Sequence, residues 1–441
     1  MTIVRELWTG ANRAILVNAG SLVATTGVTA GLGFVYWLVA AHHFSAGAVG
    51  LASASISAMT LLGYVGMLGL GTMLMGELPL QKGRESSLIS TAVLLSGLAG
   101  GLLGLMFAGV APLLVRDFEP LRASIGMVAV FAVGVALASA SLVADQALIG
   151  LLRGDMQLTR NAVFAVVKLG ALLLVSLWVN QKTGMTIYAT WIVGSLVSLA
   201  ALAALGSVRG WFSPGDRPQW SALRGLRRMA LGHHGLNLAL QFPVLGLPIV
   251  VTASLTAAFN AYFYVAWMVA VSFVWVVPAA LCLVLYTVSS KTPGLLRRAI
   301  RFTLAVSLVA GVLSNLILPI IGGPVLRLFG RTYADHAGPT LAILVVTVFP
   351  LIIKDHFVSV SRIDRRLTRA TVMVTVGGLF ELIVASIGAH IGGLAGLSLG
   401  WAMVICIQAV LMLPTVYRAV LGRPALRPAP WLQPVAVEAD R

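Results

Sequence analysis

Long apolar runs separated by short polar stretches make up nearly the whole chain. Twelve of them are long enough to cross a bilayer, which takes about 20 apolar residues in a helix. The runs lie at roughly residues 15–41, 46–76, 86–114, 121–150, 158–180, 184–206, 231–256, 259–290, 298–322, 337–361, 369–390 and 393–420. Because a backbone in lipid must satisfy its own hydrogen bonds, we predict that each run is a membrane-spanning α-helix.

The longest polar stretch between two runs, residues 207–230, is rich in Pro and Gly and divides the chain into halves. The predicted units are an N-terminal six-helix lobe at 1–206, a cytoplasmic linker at 207–230, a C-terminal six-helix lobe at 231–420 and a cytoplasmic tail at 421–441.

Two pairs of similar segments indicate that the halves are copies of one unit. The segments from Arg153 to Arg160 and from Arg362 to Arg369 both fit R-x-D-x-x-L-T-R, 209 positions apart. A second pair of matches, around Phe118 and Phe329, is offset by 211 positions and lies on the other side of the membrane. Parallel repeats related by an axis along the membrane normal are a transporter architecture. The predicted fold is therefore an all-α integral membrane protein with two parallel six-helix lobes related by a pseudo-two-fold axis.

Composition supports a membrane protein and argues against nucleic-acid binding. Hydrophobic residues form 59% of the chain and charged residues 10%, whereas soluble proteins carry about 25% charged residues. The net charge of +16 would suggest nucleic acid in a soluble protein, but here the basic residues fall in short loops between apolar runs. We therefore expect no nucleic-acid partner and a membrane-lipid environment.

The distribution of Lys and Arg predicts the orientation. With a cytoplasmic N-terminus, 23 of these residues lie on the cytoplasmic side and 5 on the outer side, while Lys168 and Lys354 lie inside the membrane. Cytoplasmic loops carry the excess of positive charge. We therefore predict a multi-pass protein of a bacterial inner membrane with both termini in the cytoplasm.

Ionisable groups inside the membrane are costly, which makes each a candidate functional residue. Asp145 and Lys168 lie about 12 Å in from the same cytoplasmic edge, at a rise of about 1.5 Å per residue. Spans four and five are antiparallel neighbours, so we predict that these two residues pair. The pair would serve either as a structural ion pair or as a cavity charge and proton relay.

In the second half, Lys354 stands at the position equivalent to Asp145 and is followed by Asp355. Glu381 on span eleven is within reach of a long side chain from Lys354. Asp355 and Glu381 are candidates for ion coupling, with structural pairing as the alternative. Because adjacent helical residues do not share a face, we expect one of Lys354 and Asp355 to face a cavity.

Span seven opens with polar residues on one helical face, namely His234, Asn237 and Gln241. Such a face must contact water or protein, so it either lines a cavity or forms hydrogen bonds between helices. Trp37 and Trp275 lie deep enough to stack on a substrate. No carboxylate or cysteine lies near the histidines, so no metal site is predicted, and no cofactor is expected.

Three segments resemble the polysaccharide transporter family, the O-antigen and exopolysaccharide flippases of the multidrug/oligosaccharidyl-lipid/polysaccharide exporter superfamily. The stretch from Gly33 through Leu51 is similar to the first hairpin of that family, with its "L-S-P-x-x-F-G" turn but without the proline. Leu68-Gly-Leu-Gly-Thr72 is similar to "D-L-G-L-G", although Gly76 and Glu77 stand where the family often has Arg. Leu328-Phe-Gly-Arg-Thr-Tyr333 is similar to "L-F-G-x-x-Y".

This resemblance implies a flippase that moves an undecaprenyl-pyrophosphate-linked oligosaccharide by alternating access, coupled to H+ or Na+. Its cavity would be lined mainly by spans one, two, seven and eight, and a polysaccharide polymerase and glycosyltransferases would be partners. Cations would attract the pyrophosphate, which makes Arg13, Lys168 and Lys354 candidates. For Arg13 the alternative is a snorkelling anchor at the membrane surface.

Two other functions remain open. A proton- or sodium-coupled small-molecule exporter of the same superfamily would favour an acidic and aromatic cavity. A membrane glycosyltransferase or polymerase would carry carboxylates on outer loops, but the outer loops here are short. No P-loop occurs, so the chain is not expected to be an ATPase, and we predict a transporter rather than an enzyme.

Overall fold

The protein is helical throughout the part of the chain that the structure describes. The computed structural model describes residues 30–80, 83–210, 212, 227–291, 296–364 and 366–422. Nine of the described helices are long and apolar enough to cross a membrane, and a pair bent by 47° forms a tenth span. One of the nine, Leu367–Leu421, is two helices joined at Gly392 and Gly393, whose backbone angles are not helical. When those two are counted separately and the helix described over 30–43 is added, the described residues contain helices at the positions of all twelve predicted spans.

The first lobe contains six spans in antiparallel succession. They are α1 (described over 30–43), α2 (Ala46–Gly66), α3 (Glu85–Leu114), α4 (Ile125–Gly150), α5 (Gly154–Trp178) and α6 (Gly184–Val208). A short helix, Leu70–Glu77, follows α2, and 3-10 turns occur at Leu78–Leu80 and Arg116–Arg122. The predicted run at 46–76 is therefore not continuous, because Leu68 and Gly69 take positive φ angles between its two helices.

The second lobe repeats the pattern. Its first two spans are α7 (Arg227–Ser254) and α8, which consists of Ala257–Ala270, a π-helical turn at Val271–Trp275, and Val276–Lys291. They are followed by α9 (Leu296–Leu328) and by α10, the bent pair Arg331–Val346 and Val348–Ile363. The last two spans, α11 and α12, precede and follow the break at Gly392 and Gly393 in Leu367–Leu421. The second pair of matching segments occupies the same place in both lobes. Phe118 and Phe329 are both buried where the third span of their lobe ends.

Side-chain caps and lipid-facing residues explain why these sequences form membrane helices. At the N-terminal ends of α2, α4, α6 and α8, a hydroxyl accepts a hydrogen bond from a backbone N–H of the first turn. The capping residues are Ser45, Ser124, Thr183 and Thr256. On α3, Leu98, Leu102 and Met106 recur at one-turn spacing and are about 60% exposed. Such an exposed apolar stripe suits lipid and indicates a multi-pass membrane protein.

The two lobes are closed against each other at the end predicted to face outward. The Asn260 side chain on α8 is fully buried and donates to the Gly50 carbonyl oxygen at 2.8 Å and to the Ser53 hydroxyl at 3.0 Å, both on α2. The Asp117 carboxylate of the first lobe accepts from the backbone N–H of Ala257, at the start of α8. These contacts hold α2 and α8 together across the lobe boundary.

Candidate functional site

A cavity with charged walls lies inside the C-terminal lobe. It has a volume of about 360 Å³ and is bordered by α7, α8, α10, α11 and α12. Its polar and aromatic lining residues are Gln241, Trp267, Trp275, Lys354, Asp355, Glu381 and Trp401. The resemblance implied a cavity lined mainly by spans one, two, seven and eight, and of these α7 and α8 line this one.

Lys354 and Glu381 form a buried ion pair at the cavity wall. The Lys354 Nζ lies 2.7 Å from Glu381 Oε1, and the two residues are 5% and 1% exposed. Glu381 also accepts from the Gln408 amide at 2.7 Å and from the Trp401 indole N–H at 2.9 Å. Charge-assisted hydrogen bonds of this kind stabilise the ionised carboxylate. The two charges of the pair therefore cancel, and both carboxylate oxygens of Glu381 accept hydrogen bonds.

Asp355 borders the same cavity beside Lys354, whose positive charge acts on its carboxylate from beyond ion-pair distance. Within the described residues, its carboxylate makes no side-chain hydrogen bond and no ion pair closer than 4 Å. Lys354 and Asp355 both border the cavity, whereas one of the two was expected to face it. With Lys354 neutralised by Glu381, Asp355 gives the site a net charge of about −1 in its ionised form.

Three indole rings form the aromatic part of the wall. The ring of Trp267 lies 4.9 Å from that of Trp275 and 5.1 Å from that of Trp401, and the last two are 5.8 Å apart. Trp275 ends the π-helical turn in α8, a distortion that often marks functional sites. Its indole N–H is buried and has no partner in the described part of the chain. The cavity thus combines three indole rings with one carboxylate that has no ion pair within 4 Å among the described residues.

The predicted pair of Asp145 and Lys168 is wrong. The partner of Asp145 is Arg160, whose Nε lies 3.3 Å from Asp145 Oδ1 in an ion pair without hydrogen-bond geometry. Arg160 is one of the 23 basic residues counted on the cytoplasmic side from the sequence, but it is only 7% exposed. The long side chain of Arg160 extends from the first turns of α5 toward Asp145, so Arg160 and not Lys168 is its ion-pair partner.

Lys168 lies instead in a cage of aromatic rings. Its Nζ is 4.0 Å from the ring centroid of Trp191, 4.6 Å from that of Phe164 and 5.1 Å from that of Tyr36. The residue is 7% exposed and has no hydrogen-bond or ion-pair partner among the described residues. Cation–π contacts with these rings stabilise the ammonium group in place of an acid.

The remaining sequence candidates have separate surroundings. Arg13 lies outside the described residues. Trp37 is 3% exposed and packs against Tyr264 of the other lobe, with ring centroids 4.8 Å apart. On α7, His234 is buried. The Asn237 side-chain oxygen accepts a hydrogen bond of 2.9 Å from Arg362, which links α7 to α10. Only Gln241 of that polar face borders the charged cavity.

The residues of these sites that sequence reasoning missed include Arg160, Trp401 and Gln408. Arg160 and Gln408 are polar groups that the structure buries, and Gln408 stands alone in the apolar sequence of α12. That isolated amide was a usable signal, because polar residues within a span usually have a partner. Trp401 could not be singled out, since nothing near it in the sequence points to Glu381.

Comparison with solved structures identifies the architecture. An inward-facing multidrug resistance MATE family transporter of the MOP superfamily has 13% sequence identity and a TM-score of 0.71, over 92% of this chain and 98% of its own. The fold is that of the MOP superfamily transporters. These structures show the fold and do not single out the polysaccharide transporter family that the sequence motifs resemble.

Two further structures have the same MOP fold. A MOP superfamily transporter from Pyrococcus furiosus Vc1, described as having a binding pocket of reverse polarity, gives 13% identity and a TM-score of 0.64 over 95% of this chain and 98% of its own. An outward-facing multidrug resistance MATE family transporter of the MOP superfamily has 14% sequence identity and a TM-score of 0.60, over 95% of this chain and 98% of its own. No protein-family model and no curated protein sequence matches the chain.

Proposed function

We propose that this protein is a secondary transporter that exports organic cations by alternating access, coupled to proton or sodium movement. The observation that carries the proposal is the cavity of the C-terminal lobe, where Asp355 stands unpaired beside three indole rings. Indole faces and a carboxylate attract organic cations, most strongly in a site shielded from water. The similar MATE structures, described as multidrug resistance transporters, support a multidrug-type exporter.

The charge balance of the cavity disfavours the flippase that the sequence motifs implied. A pyrophosphate carrier needs free cations, but Lys354 already neutralises Glu381 at 2.7 Å. The residue left uncompensated is an acid, Asp355. A lipid-linked oligosaccharide is therefore not the proposed substrate, and the polymerase and glycosyltransferase partners that would accompany it are not proposed.

The joined ends of the lobes face outward in the orientation that the Lys and Arg distribution predicts, and this supports a place in the transport cycle. Asn260 and Asp117 join the lobes at that end, and the TM-score is higher for the inward-facing than for the outward-facing structure, 0.71 against 0.60. We assign this state to uptake of substrate from the cytoplasm, in a bacterial inner membrane with both termini inside. Uptake of a proton or sodium ion at Asp355 from the outer side would then displace the organic cation.

Binding of tetraphenylphosphonium to the purified protein tests the proposal. Removing one charge about 8 Å from the ligand costs about 2 kcal/mol at an effective dielectric constant near 20. Asp355→Asn should therefore weaken binding about 30-fold, since about 1.4 kcal/mol corresponds to a factor of ten. Asp335→Asn removes an exposed acid outside the cavity and is the matched control. Equal affinity of the two variants would refute the role of Asp355.

A further inference from the structure

Two polar side chains on the cavity of the C-terminal lobe have no hydrogen-bond partner. Gln241 on α7 and Asp355 on α10 both line the cavity and are partly exposed, and neither makes a side-chain hydrogen bond within the described residues. The other charged groups there differ, because Lys354 and Glu381 bond to each other at 2.7 Å. Polar groups inside a membrane usually have partners. The partner of Gln241 and Asp355 is therefore a molecule that enters the cavity.

A link between α7 and α10 places the two side chains at similar depth. Asn237 on α7 accepts a hydrogen bond from Arg362 on α10 at 2.9 Å. Gln241 lies four residues after Asn237, and Asp355 lies seven residues before Arg362. The two helices run in opposite directions, so both residues lie on the same side of this link, and their depths differ by about 4.5 Å at a rise of about 1.5 Å per residue. An ammonium nitrogen that donates to two acceptors at about 2.8 Å each spans this distance.

The chemistry of the two groups selects the charged head of the ligand. An ionised carboxylate only accepts hydrogen bonds, and the Gln241 amide adds a carbonyl oxygen as a second acceptor. A protonated primary amine carries three N–H donors and can bond to both groups, with its positive charge next to Asp355. A quaternary ammonium carries the same charge but no donor, so it leaves the Gln241 carbonyl oxygen unsatisfied, which costs free energy in a site shielded from water.

The indole rings of the wall select the body of the ligand. The rings of Trp267, Trp275 and Trp401 lie 4.9 to 5.8 Å from one another and provide surfaces on which an aromatic ring packs. We propose that the cavity prefers protonated arylalkylamines, which carry N–H donors on the charged nitrogen, and that Gln241 sets this preference. The inference rests on the proposed export of organic cations and names the class of cation.

Calorimetric titration of the full-length protein in lipid nanodiscs with a matched pair of ligands tests the preference. Phenethylammonium and its N,N,N-trimethyl derivative share one ring and one positive charge at neutral pH and differ in their N–H donors. Phenethylammonium should bind at least about tenfold more tightly, the effect of one hydrogen bond to a charged group. The larger apolar area of the trimethyl derivative acts in the opposite direction. Equal affinity, or tighter binding of the trimethyl derivative, would overturn the inference.

Gln241→Met makes the test specific, because it removes the acceptor and keeps a side chain of similar length. It should weaken binding of phenethylammonium about tenfold without weakening binding of the trimethyl derivative or of tetraphenylphosphonium. Gln181→Met, at an exposed glutamine between α5 and α6, is the matched control and should change none of the three affinities. An unchanged preference in Gln241→Met, or an equal loss of affinity for both phenethyl ligands, would refute the role of Gln241.

Failure of this inference and failure of the proposed function give different results. Retained binding of tetraphenylphosphonium shows that Gln241→Met is folded, and the preference of the wild type between the paired ligands depends on no variant. If tetraphenylphosphonium binding depends on Asp355 but the paired ligands bind equally, cation export stands and the N–H preference is wrong. If Asp355→Asn weakens binding of neither tetraphenylphosphonium nor phenethylammonium, the cavity is not the cation site and both proposals fail.

Discussion

Replacing Gly50 by alanine should prevent the two lobes from closing at the end predicted to face outward. A Cβ at this position would lie 1.5 Å from the carbonyl oxygen of Ala257, whereas ordinary contacts of a Cβ fall at 3.4–4 Å. The obstacle is backbone, so no side chain can move aside. Helices α2 and α8 must then separate by about 2 Å, which also breaks the two hydrogen bonds from Asn260.

The size of the effect follows from these contacts. Overpacking costs about 1–3 kcal/mol, and each lost hydrogen bond costs about 1 kcal/mol. A shift of about 3 kcal/mol in favour of the open state changes the ratio of closed to open molecules about a hundredfold. Gly47→Ala is the matched control, because it lies one turn earlier on the same helix with no atom within 4 Å of the added Cβ.

Labelling of a buried cysteine from outside measures the opening. Ser53→Cys places a thiol at a fully buried interface position, in a background where Cys282 and Cys406 are replaced. A membrane-impermeant maleimide should react at least tenfold faster when Gly50→Ala is added, since labelling follows the open population. If Gly50→Ala and Gly47→Ala give the same rate, the interface between α2 and α8 is not the outer closure.

Two further predictions concern the buried charges. Lys354→Met and Glu381→Gln should each lower the free energy of unfolding by about 3 kcal/mol, because each leaves an uncompensated buried charge. The double variant should lose less than the sum of the two single losses, and additive losses in unfolding assays would contradict the pairing. In the first lobe, Asp145→Asn should be non-additive with Arg160→Gln but additive with Lys168→Met, and the opposite pattern would restore the pairing expected from sequence.

The spans were predictable because the physics that sets them is local. A run of about 20 apolar residues has no alternative to a helix in lipid, so the positions of α3, α4 and α6 follow from composition. The repeat was equally visible, since the R-x-D-x-x-L-T-R segments preserve their sequence at the same turn of each lobe. The break at Leu68 and Gly69 was not predicted, because apolar residues continue through it.

The charged sites were predictable only in part. The depth of a residue in the membrane can be calculated from the helix rise per residue. This depth correctly predicted that Lys354 is within reach of Glu381. The direction in which a side chain points depends on helix rotation and packing, which no local pattern gives. Asp145 was therefore matched to Lys168 at the right depth, although Arg160 is its partner. The cage around Lys168 comes from three separate spans and could not be seen in the sequence.

Transport by the reconstituted protein tests the proposed exporter most directly. In liposomes whose membrane potential is clamped at zero, an opposing proton or sodium gradient should drive tetraphenylphosphonium across the membrane. Asp355→Asn should abolish gradient-driven movement, and Asp335→Asn should retain it. Absence of movement in the wild-type protein under both gradients, or undiminished movement in Asp355→Asn, would contradict cation export through the cavity of the C-terminal lobe.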